Sequence, residues 1–584
     1  MPRVRSILVS LSLFLAACSD KAAAPLASPV PGLVSDFVRQ ALPFSPVAAA
    51  ASGMHTADGV NLDEALDSFS PAALGRYRLF LTSFRERLER EARPETLTPQ
   101  DRADHDIVHD QIRAAMLELD TLQAYKHNPT VYVELIGSAL FNPFVLEYAP
   151  LEKRYPHLIA RMAKIPALLA EAKANLVDSP AIWTKVAAEE NDGNRELIAG
   201  VLNDKCPAAQ RPAFDAAAKP AIAAIDAFNA WLKSDLAKRT SDWRLGKEKY
   251  AAKLDLALAL GLGPDQILAD AEAELERVRG LMRETGAPLF EKMYPGQKPP
   301  TELNALVKKV LDKVAEKRST PAKYFDDAKR DLEEARQFVR AKGLMTLPAR
   351  DNLQVIETPV FMRGIYSVGG FNPAPALEPK LGAFYWLTPI PANWPKERVD
   401  SKLREYNHYG LKILTIHEAI PGHYLQFEYA NDVQPEPRRV LRAVYGNGPY
   451  IEGWAVYATD LLIEQGYLDK DPELLMTWYK QYLRAVANTI LDVRLHTMDM
   501  KDDEAMALMI ERTFQEKEEA TAKLQRAKLS STQLPTYFTG YRAWRRLRDR
   551  LEKRPGFKLA AFHEMALRAG AVPMPALERI LEVK

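Results

Sequence analysis

The sequence has almost no excess charge and almost no cysteine. Its 584 residues carry 78 Lys and Arg against 77 Asp and Glu, a formal net charge of +1, so it offers no basic field for phosphates and nucleic acid is excluded as a partner. Two cysteines cannot build a disulfide scaffold. With 47% hydrophobic residues the chain is not disordered, and it exceeds the roughly 250–300 residues of a single core. The composition indicates a globular protein with more than one core.

Long uncharged apolar runs are also lacking. The run Ile7–Ala17 is too short to span a hydrocarbon layer of ~30 Å as a stable helix. It follows two arginines and ends in small residues before Cys18, a pattern that resembles a bacterial lipobox. We therefore expect residues 1–17 to be a lipoprotein signal peptide, Cys18 to carry lipid and residues 18–31 to form a tether. This predicts a cell-envelope protein, anchored by lipid at the outer membrane and facing the periplasm; an ordinary cleaved signal peptide is the alternative.

Helical periodicity covers most of the remaining chain. Apolar spacings of three and four predict amphipathic helices from about Leu62 to Lys342 and again after Lys402. The intervening short β-branched and aromatic segments predict the strands of a small sheet, at 355–360, 364–368 and 382–388. The predicted fold is mainly α with two lobes. A helical N-terminal lobe covers residues 32–350, and a catalytic lobe covers residues 351–584, with a small antiparallel sheet at 351–390.

One motif, His-Glu-Ala-Ile-Pro-Gly-His at residues 417–423, stands above this background. In the metallopeptidase pattern His-Glu-x-x-His, two histidines four residues apart share one face of a helix. His417 and His423 are six apart, about 120° on an ideal helix. Pro421 removes a backbone donor and Gly422 tolerates unusual dihedrals, so we expect a bulge or break at 420–422. Such a break would return His423 to the face of His417.

A catalytic zinc needs a third protein ligand and an open position. Glu452 lies in the otherwise apolar and aromatic segment 450–458, where an isolated buried carboxylate is costly unless it is paired or bound to a metal. We therefore predict one zinc ion per chain, held by His417, His423 and Glu452. Glu418 is left free beside the metal to act as general base.

Each ligand also has an ordinary structural alternative. The two histidines would then be core residues on a kinked helix. Glu452 would form an ion pair with an arginine, either Arg438 or Arg442.

The string His-Glu-Ala-Ile-Pro-Gly-His and the later Glu-Gly-Trp-Ala resemble the bacterial domain-of-unknown-function 885 family, which includes many secreted proteins and lipoproteins. The resemblance implies a helical, zincin-like, oligopeptidase-like architecture with a deep cleft, metal ligands at His417, His423 and Glu452, and Glu418 as the catalytic residue. It extends to Asp-x-x-x-His and Tyr-x-x-Gly elements. Val493-Arg494 stands where the family pattern has Thr-Gly in the first of these elements. The substrate pocket is therefore expected to differ from that of other members.

Further candidates surround this motif. Asp492 one turn before His496 suggests an acid that holds an imidazole to stabilise the oxyanion; an internal pair on one helix is the alternative. Tyr537 and Tyr541 are candidate donors to the tetrahedral intermediate, although tyrosines at helical spacing are often core residues. Arg542 is a candidate for binding a peptide C-terminal carboxylate; the alternative is that it lies on a solvated helix face.

Tyr385 is a candidate for substrate binding. It lies on the strand predicted at Ala383–Leu387, which we expect either to pair with an extended substrate backbone or only to cover the site.

The sequence therefore predicts a zinc metallopeptidase that acts on short peptides and contacts the membrane only through its lipid anchor. Two alternatives remain, a metal- or peptide-binding lipoprotein without catalysis and a metal-dependent hydrolase of another amide or ester. The free Glu418 favours catalysis, because a purely structural zinc site is closed by four ligands. The oligomeric state is left open.

Overall fold

A computed structural model describes residues 28–363, 366 and 368–582. Cys18, the predicted signal peptide and most of the predicted tether lie outside the described residues. Within the described part the chain is mainly helical, as predicted, and it contains no helix with both the length and the apolar character needed to cross a membrane.

The helices before the sheet are α1 (Val30–Ala41), α2 (Pro46–Ala51), α3 (Pro71–Glu91), α4 (Pro99–Leu117), α5 (Ala124–His127), α6 (Thr130–Val145), α7 (Leu151–Met162), α8 (Ile165–Asn175), α9 (Ala181–Leu197), α10 (Arg211–Ser234), α11 (Gly246–Leu258), α12 (Pro264–Met293), α13 (Leu303–Val314) and α14 (Tyr324–Lys342). The helices after it are α15 (Lys396–Glu405), α16 (His408–Glu418), α17 (His423–Ala430), α18 (Glu436–Val444), α19 (Gly448–Glu464), α20 (Pro472–Thr497), α21 (Asp502–Ala507), α22 (Lys517–Leu529), α23 (Thr536–Leu551), α24 (Leu559–Arg568) and α25 (Met574–Glu582).

Two small sheets accompany the helices. A two-residue hairpin pairs β1 (Thr56–Ala57) with β2 (Val60–Asn61). The second sheet contains β3 (Leu353–Glu357), β4 (Gly369–Asn372) and β5 (Ala383–Leu387) in the order β3-β5-β4. It is mixed, because β3 is parallel to β5 while β4 is antiparallel to it. The prediction of a purely antiparallel sheet is wrong, since the chain crosses over between β3 and β5.

The central position of β5 corrects a second prediction. Both edges of β5 are occupied, by β3 and β4, and every residue of Ala383–Leu387 is buried. This strand therefore has no free edge for a substrate backbone. The free edge nearest the functional helices belongs to β4. The strand predicted at 364–368 ends just before β4 and lies partly outside the described residues.

Two large hydrophobic clusters form most of the core, and two small ones adjoin the sheet. The larger contains residues from Val30 to Leu581 and so joins helices that precede the sheet in the sequence to helices that follow it. The smaller is built within residues 132–236, from helices α6 to α10. The division into lobes at residue 350 stays a prediction.

Helices α19 and α23 cross in direct backbone contact. A Cβ at Gly453 would lie 2.3 Å from the carbonyl carbon of Gly540, and a Cβ at Gly540 would lie 2.1 Å from the oxygen of Pro449. Since non-bonded carbon atoms need about 3.5–4.0 Å, only glycine permits this approach. The crossing fixes Glu452, which adjoins Gly453, relative to Tyr537 of α23.

Candidate metal centre

The two histidines are brought together by a break between α16 and α17. The first helix ends at Glu418 and the second begins at His423. Within the break the Gly422 N–H donates to the carbonyl of Ile416 at 3.0 Å, and a Cβ on Gly422 would lie only 2.0 Å from the carbonyl oxygen of His417. The imidazole centroids of His417 and His423 are consequently 4.8 Å apart, with ring planes at 84°. The break predicted at 420–422 is present, and it overcomes the six-residue spacing.

Glu452 on α19 faces both rings. Its Oε2 lies 3.5 Å from Nε2 of His417 and 3.4 Å from Nε2 of His423. The neighbouring indole N–H of Trp454 donates to the carbonyl of Pro421 at 2.8 Å, which ties α19 to the break. In the segment Glu-Gly-Trp, Glu452 thus supplies a ligand atom, Gly453 permits the close helix crossing, and Trp454 donates the hydrogen bond that holds the break between α16 and α17.

The arginine alternative for Glu452 is excluded by the positions of the two candidates. Arg438 donates from Nε to Asp104 at 2.6 Å, and Arg442 does so at 2.7 Å. Both guanidinium groups thereby join α18 to α4, away from Glu452.

The three side chains fit a zinc ion. Glu452 Oε2 is buried and faces only the two imidazoles among the described residues. Burial opposes ionisation of this carboxyl, but the two imidazoles lower its pKa below the ordinary value. Zinc bonds of about 2.0–2.2 Å in tetrahedral geometry separate ligand atoms by about 3.3–3.5 Å, which matches the distances from Glu452 to His417 and His423. Two imidazoles and one carboxylate are also a donor set that suits zinc.

Glu418 stands beside this group. One of its carboxylate oxygens lies within 4.8 Å of ligand atoms of both His417 and His423. The side chain lines the cavity in front of the site and makes no hydrogen bond or ion pair with the described residues. We assign Glu452 as the third ligand because its buried Oε2 lies 3.5 Å and 3.4 Å from the Nε2 atoms of His417 and His423. Glu418 lines the same cavity as Glu452 and is left as the acid beside the metal.

The cavity has a volume of about 330 Å³ and is lined by β4 and by helices α16, α19, α20, α22 and α23. Phe371 of β4 lies over His423, with ring centroids 6.3 Å apart. A volume near the lower end of the roughly 300–1,000 Å³ range of ligand pockets suits a small ligand.

Tyr537 is the other predicted residue that lines the cavity. Its ring stacks on His417 with centroids 6.3 Å apart, and its hydroxyl accepts a hydrogen bond from Gln533 at 3.3 Å. Burial, reinforced by Glu452, raises the pKa of Tyr537 to about 12. The hydroxyl therefore keeps its proton and is available as a donor.

His496 does not reach the cavity. Its ring stacks on Tyr250, and its Nε2 lies 3.1 Å from the carbonyl oxygen of Ser530. Asp492 does not hold this imidazole as predicted, because its Oδ2 accepts from the Tyr250 hydroxyl at 2.6 Å and from the Thr532 N–H at 2.8 Å. Burial lowers the pKa of His496 to about 4 and raises that of Asp492 to about 7. The predicted oxyanion role of His496 is wrong on this geometry.

Three predicted substrate contacts also lie elsewhere. The Tyr541 hydroxyl donates to Asp460 at 2.8 Å, one helical turn beyond Tyr537. Arg542 lies about 140° around α23 from Tyr537 and pairs with Asp270 at 3.3 Å. Tyr385 is 0% exposed beneath the sheet, with its hydroxyl 3.4 Å from Thr415 Oγ1. The prediction that Tyr385, Tyr541 and Arg542 contact substrate is therefore wrong.

The structure adds cavity residues that the sequence did not reveal. Helix α22 contributes Glu519, Lys523 and Arg526 to the wall, and Gln533 follows it. In the sequence α22 carries charged residues around most of its circumference, a pattern typical of a solvated helix. The local sequence therefore does not show which face of α22 is buried.

Two solved structures share the fold. A candidate lipoprotein of unknown function from Shewanella oneidensis matches with a TM-score of 0.78 and 28% identity, over 96% of this chain and 100% of that one. A candidate lipoprotein from Colwellia psychrerythraea matches with a TM-score of 0.75 over 95% and 98% of the chains; at 18% identity it shows the fold alone.

No curated protein matches the sequence significantly. The family described as "Bacterial protein of unknown function (DUF885)" matches residues 46–581. This match covers most of the chain and includes the whole candidate metal centre, so the protein belongs to the DUF885 family.

Proposed function

We propose that the protein is a zinc-dependent metallopeptidase that hydrolyses peptide bonds in short peptides. The observation that carries this proposal is the convergence of the buried Oε2 of Glu452 on the Nε2 atoms of His417 and His423, at 3.5 Å and 3.4 Å. Glu418 lies beside these atoms and opens to a cavity. A structural zinc site is closed by four ligands, whereas three ligands with a cavity in front of them are typical of a catalytic site.

The reaction assigns a separate task to each side chain. His417, His423 and Glu452 would hold the zinc ion, which would supply Lewis acidity that makes a water more acidic and a carbonyl more electrophilic. Glu418 accepts the proton of the attacking water and then delivers it to the nitrogen of the leaving amine. The Tyr537 hydroxyl donates a hydrogen bond to the former carbonyl oxygen as negative charge grows there.

Strand β4 is the element best placed to hold the substrate backbone. It is an edge strand of the sheet, and Gly369, Gly370 and Phe371 line the cavity. An extended peptide adds naturally to such an edge through main-chain hydrogen bonds. The small cavity volume favours short peptides over folded proteins.

We further infer a zincin-like, two-lobed architecture and lipid anchoring at Cys18, with the catalytic part facing the periplasm from the outer membrane. The candidate lipoproteins with the same fold support an envelope location. Peptides present in the periplasm would then be the substrates, and the membrane would be contacted through the lipid alone.

The test is the substitution Glu418→Gln, which keeps the size of the side chain but removes its basicity. Zinc-loaded parent and variant are incubated with a library of randomised peptides, and the products are measured by mass spectrometry. We expect cleavage by the parent, a loss of about 10²–10⁴-fold in the variant, and equal zinc content in both. Glu397→Gln, on the exposed part of α15, should cleave like the parent.

Full activity in Glu418→Gln would contradict the mechanism. Retention of peptides without cleavage by the parent would favour the binding-protein alternative, and cleavage of other amides or esters alone would favour the alternative hydrolase.

A further inference from the structure

One wall of the cavity holds two cations without a carboxylate partner. On α22, Glu519, Lys523 and Arg526 are spaced by four and three residues and so share one face of the helix, which lines the cavity. Lys523 is only 5% exposed. Its ammonium group makes no hydrogen bond or ion pair with the described residues.

The surrounding charges do not neutralise this wall. Glu519 forms an ion pair with Arg484 of α20, which also donates to the Tyr406 hydroxyl at 2.5 Å. Arg526 donates to the neutral amide oxygen of Gln533 at 3.0 Å. Within the described part of the chain, Lys523 and Arg526 have no carboxylate within ion-pair distance. Glu519 and Glu452 attract Lys523, and Glu452 attracts Arg526, only from farther away.

This arrangement is unfavourable for the charged form of Lys523. A buried charge without a partner is costly, and burial together with Arg484 and Arg526 lowers the pKa of Lys523 below its ordinary value. An anion bound in the cavity would supply the missing charge. Local conflicts of this kind are expected where a ligand binds.

The cationic wall belongs to the same cavity as the metal centre. Gln533 accepts from Arg526 and donates to the hydroxyl of Tyr537, and the ring of Tyr537 stacks on His417. Arg526 is therefore linked to His417 through Gln533 and Tyr537, and Lys523 lines the same cavity.

We propose that Lys523 and Arg526 bind the C-terminal carboxylate of the peptide substrate. Arg526 provides a planar fork for two carboxylate oxygens, and Lys523 provides a compact charge beside it. A cavity of about 330 Å³ has room for the end of a chain, whereas a continuing chain would need further space beyond the two cations. This inference rests on the proposed function: it narrows the substrate class to peptides with a free C-terminus.

The experiment measures binding, so that it is independent of cleavage. Two libraries of N-acetylated, randomised tripeptides, one with free C-terminal carboxylates and one with C-terminal amides, are mixed with the zinc-loaded Glu418→Gln protein. Retained peptides are quantified by mass spectrometry after ultrafiltration. We expect the carboxylate library to be retained about tenfold more strongly.

Adding Lys523→Gln or Arg526→Gln to this background should reduce the preference at least about threefold each. Lys517→Gln removes an exposed cation from the same helix and should leave the preference unchanged. Zinc content and thermal unfolding of each variant verify that the fold is retained, and the two independent substitutions guard against a folding defect in one of them.

Equal retention of the two libraries, or retention of neither, would overturn the proposal, as would a preference that survives both substitutions. A preference confined to peptides with Asp or Glu side chains would assign the two cations to an acidic side chain instead. A carboxylate preference that depends on Lys523 and Arg526 supports this inference even if the parent cleaves no peptide, an outcome that would count only against the peptidase reaction.

Discussion

At the scale of single residues, Tyr537 gives the sharpest test of catalysis. Tyr537→Phe removes the hydroxyl but keeps the ring that stacks on His417. Because the lost donor acts on charge that develops during the reaction, we expect kcat to fall about 10²–10³-fold while zinc content is unchanged. Steady-state kinetics on a peptide that the parent cleaves would measure this.

Tyr541→Phe is the matched control, since its hydroxyl binds Asp460 outside the cavity. Its kcat should stay within about twofold of the parent, as expected for a residue without a part in the transition state. Equal losses in the two variants would contradict the role given to Tyr537.

The sequence predicted the central residues of the site but not its walls. His417, Glu418, His423 and Glu452 stand out because polar groups that converge in apolar segments need a partner. Lys523 and Arg526 carry no such signal on a helix rich in charge. Tyr541 and Arg542 were misplaced because a local pattern does not specify which face of α23 meets the cavity.

At the scale of secondary-structure elements, the crossing of α19 and α23 positions the third ligand. Gly453→Ala would place a Cβ 2.3 Å from the backbone of Gly540, so the helices must separate. We expect a loss of about 1–3 kcal/mol in the free energy of unfolding and weaker zinc binding, because Glu452 moves with its helix. Thermal unfolding and zinc titration measure these two effects.

Gly280→Ala provides the control within a helix. A Cβ at Gly280, inside α12, meets nothing within 4 Å, so alanine should raise stability by about 0.5–1 kcal/mol. If Gly453→Ala were as stable as the parent and bound zinc equally well, the backbone contact would not be what positions Glu452.

The elements themselves were predictable to different degrees. The strand predicted at 382–388 corresponds closely to Ala383–Leu387, because its aromatic and apolar residues are all buried. β4 escaped prediction because two of its four residues are glycines, which lack strand propensity. A Cβ on Gly369 would meet the carbonyl oxygen of Trp386 at 2.3 Å. This tertiary contact, invisible in the local sequence, explains the glycine.

At the scale of the whole molecule, Glu190 in the smaller core cluster makes stability depend on pH. Both of its carboxyl oxygens are buried without hydrogen bonds, and burial followed by nearby Glu134 raises its pKa to about 8. The folded protein thus keeps a proton that the unfolded chain releases above its ordinary pKa of about 4.5, so stability falls as the pH rises between these values.

We expect the melting temperature of the parent to fall between pH 5 and pH 8 relative to that of Glu190→Gln, whose amide does not titrate. Glu196→Gln, at an exposed position of the same helix, should behave like the parent. Parallel pH profiles for the parent and Glu190→Gln would show that this carboxyl is not protonated in the folded protein.

The central claim is that the break between α16 and α17 closes a zinc site around His417, His423 and Glu452. The most direct measurement is the zinc content of residues 19–584, the protein without the predicted signal peptide and Cys18, beside His423→Ala and a control, His408→Ala, from the start of α16. The account predicts about one zinc per chain in the parent and the control, and a marked loss in His423→Ala. No zinc in the parent after incubation with the ion, or undiminished zinc in His423→Ala, would contradict it.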